Sequence, residues 1–325
     1  MPYYPDRKPE LSGEEQKQTR MTEKRIRLLR LSVTVFSCCL ILYGAAKLVQ
    51  YISDLNASRN TARELRQIYD QEEPETVDQT PEATALPSVP PVAVPEKPLP
   101  TEAPEPEENE DTLEPVAYPD NPDLKISERF RKLRKKGQYI IGWLSFDQVD
   151  EPVVQKDNTT FLTHDATGKK NSNGAIFLDA GISLETQPYT VILYGHNMKS
   201  GNMFGRLKKY KESTYFYKHR IIAFDTMYED GRYAVFAVME MDTTPGVTRW
   251  YDIWSLDADN YAVREKAIRK LESLSFIKSA LDVQADDQIL LLVTCLDGDT
   301  ERLVVAARRL RAGETENSLT IRQDR

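Results

Sequence analysis

At 325 residues the chain is long enough for two domains, and 29% of its residues are charged, with a net charge of −8. The charge is uneven: residues 1–70 carry +4, residues 71–123 carry −14 and residues 124–325 carry +2. A near-neutral C-terminal part lacks the basic face that nucleic acid requires, and three cysteines, two of them adjacent, exclude a disulfide framework.

Residues 1–30 are polar and crowd Arg20, Lys24, Arg25, Arg27 and Arg30 ahead of an apolar run, residues 31–52 (LSVTVFSCCLILYGAAKLVQYI). The first 16 residues of that run are uncharged. A helix needs about 20 residues to cross a bilayer, and Lys47 lies near enough to one end to reach the interface. The run predicts a transmembrane signal anchor. Basic residues before it place residues 1–30 in the cytoplasm and everything after residue 52 outside, in a single pass of the cell membrane. No small-x-small site closes the run, and Phe36 fits a lipoprotein cleavage box poorly, so the anchor is expected to stay uncleaved. Cys38 and Cys39 then face lipid or pack against another helix.

Residues 53–123 read as an extracellular stalk. Residues 53–70 suit a short polar helix. Residues 71–123 hold 13 of the 19 prolines and 15 acidic residues, too polar to offset the entropy of ordering. They predict a disordered tether of up to roughly 160 Å at the polyproline II rise.

The folded domain is expected over residues 124–312, with 313–325 a loose tail. It opens with a basic amphipathic helix at 124–136. Short apolar runs follow at 139–144, 153–154, 174–178, 191–194, 221–224, 233–238, 289–294 and 303–307, punctuated by glycine, aspartate and asparagine. Mostly without helices between them, such strands favour a closed or nearly closed β-barrel. A short helix fits within 204–217. Between 257 and 275, Tyr261, Ala262, Ile268, Leu271 and Leu274 recur at helical spacing, predicting one helix inserted between strands.

Cys295 ends the strand-like run from Ile289, and His196 lies just past the run from Val191 to Tyr194. Arg302 opens the run that follows Cys295. A thiol attacks only as thiolate, of which about a few per cent is present at pH 7 for a pKa near 8.5. Histidine moves protons, and the arginine fork suits an oxygen gaining negative charge. The three form an acyl-transfer set, and a hairpin would bring Cys295 and Arg302 together. Asp297, Gly298 and Asp299 suit its turn; their spacing does not match a calcium loop. No His/Cys cluster suggests zinc, so neither metal nor cofactor is expected. His164 and His219 are rivals read as loop or surface residues. Arg308, Arg309 and Arg311 are rivals for Arg302, read as a solvated basic edge at the far end of the strand.

Several motifs stand in order: Gly142-Trp143-Leu144, Pro152-Val153-Val154-Gln155, Asp157-Asn158 with Phe161-Leu162-Thr163-His164, and Gly174-Ala175-Ile176-Phe177-Leu178-Asp179. Tyr194-Gly195-His196-Asn197-Met198-Lys199-Ser200-Gly201-Asn202-Met203-Phe204 is the most specific. Ala285-Asp286-Asp287, Thr294-Cys295 and Arg302-Leu303-Val304-Val305 complete the set. From about Gly137 to Leu310 the chain thereby resembles the class B sortases, membrane-anchored cysteine transpeptidases of Gram-positive bacteria. The resemblance implies a mainly β fold: a closed sortase barrel of about eight strands, an N-terminal helix, and one helix inserted before the cysteine strand.

It also implies roles. Cys295 attacks the threonine carbonyl of a C-terminal sorting signal on a secreted protein, and His196 protonates the departing amine. Arg302 holds the substrate or oxyanion, with the Leu296 N–H as a second donor. Asn158, Leu162 and Tyr194 match positions lining the family's substrate groove. An amino group of peptidoglycan or its lipid-linked precursor resolves the thioacyl-enzyme. The alternatives are a cell-wall cysteine peptidase and an inactive anchored binding module. The chain departs from the family pattern at Val293, at Leu296, in the short span from Cys295 to Arg302 and in its long acidic segment.

Overall fold

A computed structural model of the protein describes residues 13–71, 112–113, 118–295 and 300–319. The chain forms two compact units, residues 1–56 and 57–325. The described residues of the first, 13–56, belong to helix α1 (Gly13–Tyr69). Phe36, Leu40, Ile41, Leu42 and Val49 are exposed on it, and the helix is long and apolar enough to cross a membrane. The Ser32 and Thr34 hydroxyls donate to the carbonyls of Leu28 and Arg30. Both polar groups are thus satisfied within the helix.

The second unit is built on a closed barrel of eight strands: β1 (Ile140–Phe146), β2 (Val149–Val154), β3 (Ile176–Leu178), β4 (Thr190–Tyr194), β5 (Ile221–Thr226), β6 (Arg232–Asp242), β7 (Ile289–Cys295) and β8 (Glu301–Arg309). Neighbours around the barrel run β1-β2-β3-β4-β7-β8-β6-β5, and β5 closes onto β1. The pairs β2–β3 and β4–β7 are parallel; the others are antiparallel. Residues 289–293 of β7 are apolar without alternation because both faces of that strand are buried. Closure also removes the exposed edges that would pair with other chains.

Helix α4 (Tyr261–Leu274) lies between β6 and β7 in the chain and packs against β6. The Asn260 side chain caps it, accepting from the Val263 N–H at 3.1 Å. Its buried face is Arg264, Ala267, Ile268 and Leu271, while Tyr261, expected inside, is exposed. Arg264 is fully buried because its fork donates to the carbonyls of Ala285, Leu256 and Asp287. Burial pulls its pKa down to about 10.

Helix α2 is Glu128–Lys136, starting later than the expected residue 124. Ahead of it the Asn121 carboxamide oxygen accepts from the Lys125 N–H at 2.8 Å, and Leu124 takes a positive φ of 51°. This local turn competes with helix. The short helical stretch expected within 204–217 is a 3-10 turn, Leu207–Lys211, and helix α3 (Ser213–Lys218).

Residues 53–70 are not a separate short helix: they are the last turns of α1, and from residue 57 they belong to the barrel unit. Leu65 is 1% exposed, and Tyr69 stacks on Trp143 with ring centroids 4.7 Å apart. Asn173 Nδ2 donates to Ser58 Oγ at 3.0 Å, and Arg66 pairs with Asp150 at 2.6 Å. A helix face made of serine, arginine and tyrosine hides its burial from a hydropathy pattern. Tyr118 is also buried, its hydroxyl donating to the Leu184 carbonyl at 2.8 Å. Residues 72–111 and 114–117 of the expected tether lie outside the described residues. Of the tail expected to be loose, Glu314 pairs with the buried Arg308 at 2.6 Å and Leu319 packs on the core; residues 320–325 lie outside the described residues.

Candidate active site

Three neighbouring strand ends bring the site together. β4 runs parallel to β7 with Tyr194 level with Val293. The Gly195 N–H donates to the Val293 carbonyl at 3.3 Å, and Thr294 Oγ1 donates to the Gly195 carbonyl at 2.7 Å. These bonds carry the parallel register past the end of β4, so His196 arrives at the level of Cys295. On the other side β8 is antiparallel to β7 and places Arg302 opposite Cys295. Residues directly opposite across two strands send their side chains to the same face. Cys295, His196 and Arg302 line one open cleft of about 310 Å³.

Cys295 is a free, exposed thiol. His196 is held from behind: its Nε2 lies 2.8 Å from the Leu162 carbonyl oxygen. A carbonyl only accepts, so Nε2 carries the hydrogen and the lone pair of the neutral ring sits on Nδ1. Leu162 ends a 3-10 turn, Thr160–Leu162. That turn is fixed by Asp157, which accepts from the Thr159 and Thr160 N–H groups and hydroxyls. The Thr160 hydroxyl and these other donors hold the Asp157 carboxyl well below the usual carboxylate range. Gly174 closes the same support from the other side at φ +64°. A Cβ there would lie 2.4 Å from the Phe161 carbonyl oxygen and 3.2 Å from His196 Cδ2. Beyond the ring, the Met198 and Phe204 N–H groups both donate to the His196 carbonyl at 3.0 Å.

Arg302 is half-buried and donates from Nη1 to the Glu301 carbonyl at 3.0 Å. Asn158, Leu162 and Tyr194, the expected groove residues, line the same cleft. Burial and the Asp179 carboxyl push the Tyr194 phenol up, with Arg302 opposing. Residues 296–299 lie outside the described residues, and with them Leu296 and its N–H. Phe177, Gly195, Val293 and Thr294 complete the lining; sequence reading assigned none of them a role. It also missed the part played by the Leu162 main chain, since a carbonyl has no sequence signal.

The rivals lie elsewhere. His164 Nδ1 bonds to the Thr160 carbonyl at 2.9 Å, and His219 stacks on Tyr215 with centroids 4.3 Å apart. Neither lines the cleft. Arg308, Arg309 and Arg311 are not a solvated basic edge. Arg308 is 1% exposed and paired with Glu314, Arg309 pairs with Glu229, and Arg311 pairs with Asp282 and Asp287. Carboxylates from distant segments reach them, which one strand's sequence does not reveal. Among the described residues no group of three His, Cys, Asp or Glu side chains is placed to hold a metal ion.

The fold and the cleft together define a thiol-centred site on a closed, mixed β-barrel. The Sortase domain family matches residues 145–310. Sortase B of Staphylococcus aureus is 30% identical over 189 residues, covering 56% of this chain and 75% of that one. Sortase B of Listeria monocytogenes is 29% identical over 185 residues, covering 56% and 72%. Among solved structures, sortase B from Bacillus anthracis in complex with AAEK2 aligns with a TM-score of 0.52 and 31% identity, over 61% of this chain and 88% of that one. A Staphylococcus aureus sortase B–substrate complex aligns with a TM-score of 0.51 and 26% identity, over 58% and 88%. The chain belongs to the sortase family, in its class B.

Proposed function

We propose that the chain is a cysteine transpeptidase that cleaves a C-terminal sorting signal after threonine and transfers the protein to a peptidoglycan amino group. The observation that carries this reading is the placement of Cys295, Arg302 and His196 on three adjacent strand ends around one open cleft.

The Cys295 thiolate adds to the threonine carbonyl, and the negative charge that develops on oxygen meets the Arg302 guanidinium. Collapse breaks the peptide bond, and His196 gives a proton to the departing amine. The Leu162 carbonyl occupies Nε2, so Nδ1 is the nitrogen that exchanges this proton. An acceptor amine then attacks the thioacyl carbon, loses a proton to His196 and expels the Cys295 thiolate. Asn158, Leu162 and Tyr194 hold the signal peptide along the cleft. The acceptor is peptidoglycan or its lipid-linked precursor, and the donors are secreted proteins bearing the signal.

Residues 31–52 anchor the enzyme by a single pass in the cell membrane, with residues 1–30 inside and the barrel outside. The exposed apolar side chains of that helix support this placement. The test uses the full chain in detergent micelles with a fluorogenic hexapeptide library that fixes threonine at one internal position. Product that depends on an added glycine-type amine supports transfer. Hydrolysis indifferent to any amine makes the protein a peptidase, and the absence of any Cys295 adduct makes it a binding module.

A further inference from the structure

Asp179 follows the last residue of β3 and is only 3% exposed. It does not line the cleft, yet its carboxyl group accepts from two donors, one of them on the cleft wall. The Gly181 N–H donates to Oδ1 at 2.7 Å. Asn158 Nδ2 donates to Oδ2 at 3.0 Å. Burial and the nearby Asp179 carboxyl push the Tyr194 phenol up. The Gly181 and Asn158 donors offset the cost of burying the Asp179 carboxylate.

The effect on Asn158 is specific. A carboxamide is free to flip, and its two ends differ only in whether they donate or accept. Asn158 Oδ1 accepts from the Ala180 N–H at 2.9 Å, a group that only donates. Its Nδ2 faces Asp179, a group that accepts from it. The two partners make opposite demands and fix one orientation. One N–H and one oxygen lone pair of the carboxamide remain. That pair is the complement of a peptide group.

We infer that Asp179 is a positioning residue for the signal peptide: it sets the Asn158 carboxamide as a fixed frame that grips the peptide backbone. This rests on the cleft being the peptide site. Asparagine cannot replace it, because an amide has one acceptor oxygen where two donors each occupy a separate carboxyl oxygen. In Asp179→Asn either Gly181 or Asn158 meets a second donor, and the frame loosens. Cys295 and His196 are held by other bonds, from β7–β8 pairing and from Leu162, so the reacting groups stay in place.

The experiment reads binding and chemistry separately, on the full chain in detergent micelles. Binding is measured by fluorescence anisotropy in the Cys295→Ala background, with a fluorescein-labelled hexapeptide library that fixes threonine at one internal position. The best binder is then used throughout. Asp179→Asn is expected to weaken it about tenfold or more, the scale of a buried polar group left mispaired. In the chain with Cys295 intact, the rate of Cys295 alkylation by iodoacetamide is expected to stay within about twofold, because a small reagent does not need the frame. The exchange Asp179→Asn with Asn158→Asp guards against a variant that merely misfolds. It restores a donor–acceptor pair between the two positions but leaves no free N–H toward the peptide. Thermal stability is therefore expected to recover while binding stays weak.

Unchanged binding in Asp179→Asn overturns the inference, as does an alkylation rate that falls in step with binding. Recovery of both stability and binding in the exchange variant assigns Asp179 a purely structural role and also overturns it. If no library member binds the Cys295→Ala chain, the frame has no peptide to hold and the inference falls. If the peptide binds and responds to Asp179→Asn but is never turned over, the inference stands and the transpeptidase reading fails.

Discussion

The two ends of the β7–β8 hairpin carry the same residue type to opposite ends. At one end Arg302 stands opposite Cys295, half-buried on the wall of an open cleft. At the other, Arg308 stands opposite Ile289, 1% exposed and clasped by the Glu314 carboxylate at 2.6 Å. Arg309 and Arg311 are likewise tied, to Glu229 and to Asp287. An arginine whose fork is filled by carboxylates of its own chain holds segments together. Carboxylate pairing thus marks the end of the barrel opposite the cleft.

The contrast breaks most clearly at the thiol. Cys295→Ala is expected to lower peptide turnover by more than about a thousandfold, the scale seen when a covalent nucleophile is removed, with little change in thermal stability. Steady-state kinetics and calorimetry on the same preparation check both halves. At the opposite end, Arg308→Ala strands Glu314 beside a vacated site and is expected to cost about 3–5 kcal/mol of stability. The measurement is denaturant unfolding, and the activity of the molecules that remain folded should match that of the parent. A loss of turnover without a loss of stability would contradict the division of roles.

Gly174→Ala tests how rigidly His196 is backed. The new methyl group would need to displace the Phe161 carbonyl, and the positive φ adds strain. Together these are expected to cost about 1–3 kcal/mol, with a fall in turnover larger than the loss of folded protein. Last is a pH effect at the structural end. Hydrogen bonding to Arg308 holds the Glu314 carboxyl below its usual value of 4.5. Folding therefore favours its ionised form, so its contribution is complete above the ordinary glutamate range and is lost as pH falls through the folded value. Glu314→Gln is expected to destabilise the protein near neutral pH and to differ less from the parent in acid. A gap that widens in acid would contradict the Arg308–Glu314 clasp.

Much of the barrel was legible in the sequence because each strand writes a short apolar run and each turn its glycine or aspartate. The site was legible for the same reason: Cys295 and His196 stand at the ends of such runs, and strand pairing then does the geometry. The inserted helix was also visible, although Arg264 faces inward where a hydropathy pattern cannot place a charge. What stayed hidden depends on partners distant in sequence. Residues 57–71 look like a polar stalk, but Ser58, Leu65 and Tyr69 bury themselves against Asn173 and Trp143. Arg308 looks solvated until Glu314 is seen to fold back upon it. Asp179 was visible as a motif letter, but its bond from Asn158 spans 21 residues of sequence and forms only once β2 and β3 are paired.

Intact-mass spectrometry of the full chain in detergent tests directly whether Cys295 forms a thioacyl bond that an amine then resolves. The peptide library that fixes threonine is added first without an amine and then with a glycine-type amine. The expected result is a mass increase equal to the peptide fragment ending in threonine, located on Cys295 by digestion, that disappears when the amine is added and reappears as an amine-capped peptide. Peptide cleavage that continues unabated in the Cys295→Ala chain would contradict it.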